Sequence, residues 1–271
     1  MTKRSAQAGR GGAVRIAHRN GYYGCRRDQK DMRDHMFVAR ATRLPPAVDL
    51  RAHCPPVMDQ GDLGSCTAHG ITGALRYEMK LRGLPDVPLS RLQLYYDERA
   101  IEGTIKSDAG AEIRDGIKCA AKIGVAHENL WPYNTYNLKR FTTKPSAKVY
   151  ADAKNFMALS YQRVEVSAVA LKAALAAGHT PIIGLTLYES FESDAVAKSG
   201  IVPMPAKHEK VVGGHCMYVV GYGQKPGTFT VRNSWAADWG DKGDCYFPEA
   251  YLGSVLLGSD YWIITTEGSA Q

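Results

Sequence analysis

Between Gln60 and Ala68 the chain reads Gln-Gly-Asp-Leu-Gly-Ser-Cys-Thr-Ala, a glycine-broken turn that hands a cysteine to the segment after it. From Cys66 to Arg82 the apolar residues Ile71, Leu75 and Met79 recur four apart. That spacing predicts an amphipathic, largely buried helix with Cys66 in its first turn. A thiol there sits among backbone N–H groups without helical partners, at the positive end of the macrodipole, where thiolate is favoured over thiol. A lone cysteine is more often a small buried hydrophobe, so the segment limits the possible chemistry without deciding it.

Three other residues decide it. Gln60 lies across the turn from Cys66, where its amide and the Cys66 N–H can donate to one oxygen. His215 follows 149 residues after Cys66, in Gly213-Gly214-His215-Cys216-Met217, leading into the apolar Tyr218-Val219-Val220. Asn233 follows a further 18 residues on, in Val231-Arg232-Asn233-Ser234-Trp235. A histidine beside a strand is usually structural and Asn-Ser usually marks a turn. Jointly, in the order Cys, His, Asn with this long gap, the residues resemble the papain and cathepsin family of cysteine peptidases. Pro46-Ala47-Val48-Asp49-Leu50-Arg51 and Trp239-Gly240-Asp241-Lys242-Gly243 extend the resemblance over residues 44–266.

The resemblance implies a nucleophile at Cys66, a base and then acid at His215, an orienting amide at Asn233 and an oxyanion donor at Gln60. It also implies that Trp235 shields the Asn233–His215 hydrogen bond, supported by Trp239. Gly110 is implied to pair its backbone with an extended substrate, and Gly214 and Leu256-Leu257-Gly258-Ser259 to line an apolar subsite without a carboxylate. The chain departs from the family pattern at Leu63, where a cysteine is common, at Thr67, where an aromatic is usual, and at Ala236, where glycine is usual. No catalytic group is lost, and the departures point to a bacterial branch.

Charge divides the chain. Net charge is +7, and residues 1–43 hold eleven Lys and Arg against Asp28, Asp31 and Asp34. The remaining residues are nearly neutral, so the excess lies on an N-terminal arm. Its opening, Gly9-Arg10-Gly11-Gly12, has too few large apolar residues to build a core. Tyr22, Tyr23 and Phe37 are its candidate anchors, and Asp28 to Phe37 has room for two helical turns. Family members carry an inhibitory pro-segment at this place, so the arm is expected to occupy the cleft. The competing expectation is a solvated tail or a site for a polyanion or membrane surface. The start lacks the apolar stretch of a secretory signal, and no run reaches the ~18–20 apolar residues of a spanning helix.

The body is expected to be α+β, in two lobes with the site between them: a helical lobe over 44–156 and a β-rich, barrel-like lobe over 157–271. Helices are expected from Cys66, from a Ser90 cap to Ile101, from Ala111 onward and over Val166–Ala177. Strands are expected at Met157–Glu165, Pro181–Tyr188, Val212–Gly221, Thr228–Arg232, Asp244–Phe247 and Tyr261–Thr266. Among the six cysteines, Cys119, Cys216 and Cys245 read as core, and any pairing of Cys25 with Cys54 stays open. Cys-x-x-Cys spacing is missing, so neither a metal nor a cofactor is expected. The expected activity is hydrolysis of peptide bonds in peptide or protein substrates through a thioester. A catalytically silent binding protein and an amide-transferring thiol enzyme are the alternatives.

Overall fold

The computed structural model describes residues 23–38 and 43–266. Tyr22, one of the candidate anchors, lies outside them. The first strand, β1 (Cys25–Arg26), belongs to the arm, and β2 (Val48–Asp49) opens the body. Three helices follow: α1 (Cys66–Leu81), α2 (Arg91–Ile101) and, after the short β3 (Ala111–Glu112), α3 (Ile113–Lys122). Ser90 caps α2, its hydroxyl accepting from the Gln93 N–H at 3.1 Å. The short α4 (Ala147–Ala153) completes the helical part.

The second half alternates β4 (Ser160–Val164), α5 (Ala168–Ala176), β5 (Ile182–Tyr188), α6 (Asp194–Ser199), β6 (Val211–Tyr222), β7 (Thr228–Arg232), β8 (Asp244–Pro248), α7 (Glu249–Leu252) and β9 (Gly258–Thr265). Its strands form one antiparallel sheet in the order β4-β9-β5-β6-β7-β8, with β2 added to β6. The sheet is open. Among the described residues β4 and β8 are its ends and no ladder joins them, so the barrel-like lobe does not close.

Alternation along the strands buries both faces of the sheet. Ile182, Cys216, Tyr218, Val220, Trp262 and Ile264 pack with the helices in one core. Ile183, Leu187, Met217, Val219 and Ile263 pack with Phe191, Trp235 and Trp239 in the other. Helix α1 lies close to β6 because its facing residues are glycines. A Cβ on Gly70 would stand 2.9 Å from the Cys216 Sγ, and one on Gly73 would stand 2.6 Å from the Tyr218 ring. This close approach brings the start of α1 to the strand that carries His215.

The arm has no helix between Asp28 and Phe37. Its polar groups bond to the body instead, which leaves them unavailable for helical bonds. The Asp28 carboxylate accepts from the Arg114 N–H at 3.0 Å and the Trp262 Nε1 at 2.8 Å. Further on, the arm runs beside β4: the Phe37 N–H donates to the Arg163 carbonyl and the Arg163 N–H to the His35 carbonyl, each at 2.8 Å.

Candidate active site

Helix α1 delivers Cys66 to the interface with β6. The residue before it, Ser65, leaves the helix N-terminus without a side-chain cap, because its hydroxyl bonds the Tyr133 hydroxyl at 2.7 Å. The first-turn N–H groups therefore stay directed towards Cys66 and the turn before it. The Cys66 sulfur faces the backbone N–H groups of Cys216 on β6 and of Gly24 on the arm, both of which favour its thiolate. It is thus seated against the peptide that joins His215 to Cys216.

The imidazole is held from one side. Its Nε2 lies 2.8 Å from the Asn233 Oδ1, which also accepts from the Ser234 N–H at 2.8 Å. The Ser234 N–H marks this atom as the amide oxygen, which carries no hydrogen to donate, so Nε2 carries the imidazole hydrogen. The lone pair of the neutral ring is then on Nδ1, which is buried and has no hydrogen-bond partner among the described residues. A ring in this tautomer can take up a proton at Nδ1 alone. The Trp235 ring stands 5.3 Å from the His215 ring, backed by Trp239 and Phe191 at 5.3 and 5.4 Å from Trp235, and this aromatic wall keeps water from the amide.

Gln60 is fully buried. Its Nε2 donates to the Leu63 carbonyl at 3.0 Å, its Oε1 accepts from the Ser234 hydroxyl at 2.5 Å, and its own carbonyl accepts from Tyr133. The side chain is locked between the turn before Cys66 and the loop that carries Asn233.

Across this assembly runs the segment Tyr23 to Arg26. The Tyr23 ring packs edge-on against His215 at 5.7 Å and lies 6.0 Å from Trp235, while its hydroxyl donates to Glu192 at 2.7 Å. The Gly24 carbonyl accepts from the Ala111 N–H at 2.7 Å, and β1 continues parallel to β3. Arg26 ion-pairs with the buried Glu102 and donates to the Ala109 carbonyl. Gly110 supplies room: at φ +68° it has no Cβ, and one there would stand 2.0 Å from the Gly24 carbonyl. Its own N–H is taken by the Tyr95 hydroxyl, so the pairing donor is Ala111, one residue beyond the glycine expected to pair. Gly214 likewise admits the arm, since a Cβ on it would meet the Cys25 carbonyl at 2.1 Å.

Burial sets the charge state of the covered pair. It raises the Cys66 thiol well above its usual range and lowers the His215 imidazole to about 4. A helix N-terminus contributes ~0.3–2 kcal/mol towards the thiolate. Full burial opposes it by up to ~3–5 pKa units, about 4–7 kcal/mol. Burial wins, and near neutral pH the covered site holds a thiol and a neutral imidazole.

Three features escaped sequence reasoning. Glu98 is fully buried beside Cys66: Thr67 donates to one carboxyl oxygen at 2.7 Å, and the other has no hydrogen-bond partner among the described residues. Burial raises its pKa strongly, which favours the protonated acid. Asp108 ties the Gly64 N–H, at 3.0 and 3.1 Å, to the β3 side of the cleft. The third adjoins the expected leucine-lined subsite, where Leu257 is buried. Leu256 is exposed, and just past Ser259 stands Asp260, a buried carboxylate ion-paired with Arg163 at 3.0 Å. Local motifs do not flag any of the three, because their roles come from contacts distant in sequence.

The fold and this site define a papain-type cysteine protease. The papain family cysteine protease model matches residues 44–250, and the chain belongs to that family. Its structure is similar to that of xylellain, a cysteine protease from Xylella fastidiosa, with 35% identity, a TM-score of 0.84, and coverage of 92% of this chain and 97% of that one. Among sequences it is 38% identical to the peptidase C1-like protein L477 of Acanthamoeba polyphaga mimivirus, over 76% of this chain and 68% of that protein. It is 29% identical to Cysteine proteinase 2 of Zea mays, over 83% of this chain and 60% of that protein.

Proposed function

We propose that the chain hydrolyses peptide bonds through a Cys66 thioester and that its N-terminal arm restrains this activity. The observation that carries the catalytic half is the Nε2–Asn233 hydrogen bond, which leaves the His215 lone pair on Nδ1 in a site that also holds Cys66 at a helix N-terminus. With the arm withdrawn, water and substrate replace the apolar cover, and the pair passes to thiolate and imidazolium. Attack on the substrate carbonyl places negative charge on its oxygen, which the Gln60 amide and the Cys66 N–H stabilise. Nδ1–H of the imidazolium then protonates the leaving amine, and water, activated by the regenerated base, releases the acyl group.

The leaving amine must depart beside His215 and Trp235, where Tyr23 sits. The acyl part of a substrate then lies along β3, and its chain runs from β3 towards His215. The arm runs the opposite way, from Tyr23 beside His215 to Arg26 beside β3, with an N–H of Gly24 on the sulfur. A chain reversed in this way covers the thiol without offering a carbonyl to it, so it acts as a brake rather than a substrate. Tethering supplies millimolar effective concentration, so modest contacts suffice to hold it. Trp235 and Gly214 serve substrate on the leaving-group and acyl sides, and Gly110 leaves space for its backbone.

The test is turnover of a small dipeptidyl amide by the full chain, by a chain lacking residues 1–40, and by Cys66→Ala. Turnover that is raised by the deletion and abolished by Cys66→Ala is the expected outcome. Activity surviving Cys66→Ala would refute the catalytic half, and an unchanged rate on deletion would refute the brake. A silent binding protein would show no turnover, and an amide-transferring enzyme would need an amine acceptor.

A further inference from the structure

The arm brings a second thiol into the cleft. Cys25 carries its side chain over β5, where a Cβ on Gly184 would stand 3.4 Å from the Cys25 Sγ. Gly184 is paired directly with Cys216 on β6. Directly opposed residues of an antiparallel pair hold their Cβ positions ~4.5–5.5 Å apart on one face. The Cys25 sulfur and the Cys216 side chain therefore share that face, and each thiol acts on the other's proton affinity. Glycine at 184 keeps a side chain from standing between them. On the same strand Gly214, two residues from Cys216, lets the Cys25 backbone come close, with a would-be Cβ 3.9 Å from the Cys25 Cβ. All six cysteines are free thiols; Cys54 donates to the Leu50 carbonyl and Cys245 to the Val231 carbonyl.

We propose that Cys25 and Cys216 form a reversible disulfide that fastens the arm across the cleft. The co-reactant is a low-molecular-weight disulfide. With the arm withdrawn, the Cys25 thiolate attacks one sulfur of that disulfide. A mixed disulfide forms and one small thiolate leaves, taking a proton from water. When the arm docks, Cys216 loses its proton to solvent and its sulfur attacks the Cys25 sulfur, expelling the second small thiol. Two protein thiols have then been oxidised and one small disulfide reduced to two thiols. The bond closes a cycle between arm and sheet, and the lowest usual stabilisation for a disulfide corresponds to a roughly 30-fold shift towards the docked arm. Cys66, which has the sulfur chemistry of the reaction to perform, is left out of the bond, so reduction alone restores a competent nucleophile.

The bond itself rests on the geometry of Cys25 and Cys216, and its effect on rate rests on the brake proposed above. The full chain is incubated with oxidised glutathione, alkylated and digested without reductant, and its linked peptides are identified by mass. A Cys66→Ser background keeps the nucleophile from forming its own adduct. The expected product joins the Cys25 and Cys216 peptides, and is missing in Cys25→Ser and in Cys216→Ala. Cys25 linked to another cysteine, or found only as a glutathione adduct, overturns the proposal. In a chain with Cys66 intact, dithiothreitol should raise turnover of the oxidised protein roughly 30-fold more than that of Cys25→Ser treated alike. A linked pair with no such difference would uphold the bond and overturn the proposed fastening of a brake.

Discussion

Gly24 of the arm lies so near Gly64, in the turn before the nucleophile, that a Cβ on Gly24 would stand 1.8 Å from the Gly64 carbonyl oxygen. The obstacle is backbone on both sides, so no side chain can yield. Gly24→Ala is predicted to lift the arm from the sulfur without touching any group assigned to catalysis. Turnover of a small amide should rise towards that of the chain lacking residues 1–40. A rate equal to that of the unaltered full chain would show that the contact does not limit access.

Gln60→Ala removes a donor from the proposed oxyanion site, takes from the Ser234 hydroxyl its Gln60 acceptor, and leaves the Leu63 carbonyl to the Ser65 N–H. In the arm-deleted chain kcat is predicted to fall ~10²–10³-fold with little change in KM, since the interaction strengthens as charge develops on the oxygen. A rise in KM with kcat unchanged would assign Gln60 to substrate binding instead.

Uncovering the site reverses its charge state. In the covered chain burial keeps Cys66 a thiol and holds His215 at about 4. Once open, the pair is predicted to be thiolate and imidazolium, giving the arm-deleted chain a bell-shaped rate profile. Its acidic limb follows thiolate formation and its alkaline limb the loss of the imidazolium proton. A rate still climbing at ~pH 10 would mean an ordinary thiol served by a neutral base.

Docking of the arm is linked to protons through Asp28. Asp28, Asp34 and Asp260 gather around Arg114 and Arg163, three carboxylates against two guanidinium groups. Burial, with the charge of Asp260, pushes Asp28 up to about 6. Docking therefore takes up a proton at Asp28, and this contribution is present in acid and lost as pH rises through about 6. Covering also takes up a proton at Cys66 and releases one from His215, so that pair moves a proton within the site and leaves the linkage to Asp28. A labelled peptide of residues 23–38 should bind the arm-deleted protein more weakly as pH rises from ~4 to ~6, by up to ~10-fold per pH unit. The Asp28→Asn peptide should bind with a Kd that varies little over that range. Parallel curves for the two peptides would contradict the linkage.

Local patterning determined much of this protein. The period of four after Cys66 marked α1, the Ser90 cap marked α2, and the alternating apolar runs marked β5, β6 and β7. The nearby motifs around Gln60, Cys66, His215 and Asn233 singled out residues that the fold does bring to one place. These features are legible because each depends on neighbours in sequence: helix periodicity, capping and strand alternation act over a few residues. The tertiary structure alone decided where residues 23–38 lie. The aromatic anchors of the arm suggested the cleft and its charge a solvated tail; Asp28 is drawn inward by Arg114, Arg163 and Trp262, and the helical turns allowed for residues 28–37 give way to bonds with β4. It likewise decided that Glu98 and Asp260 are buried, that Cys25 lies over the sheet face that carries Cys216, and that burial works against charge on Cys66 and His215. Each of these rests on long-range proximity and on removal from water, and neither is written in the spacing of residues along the chain.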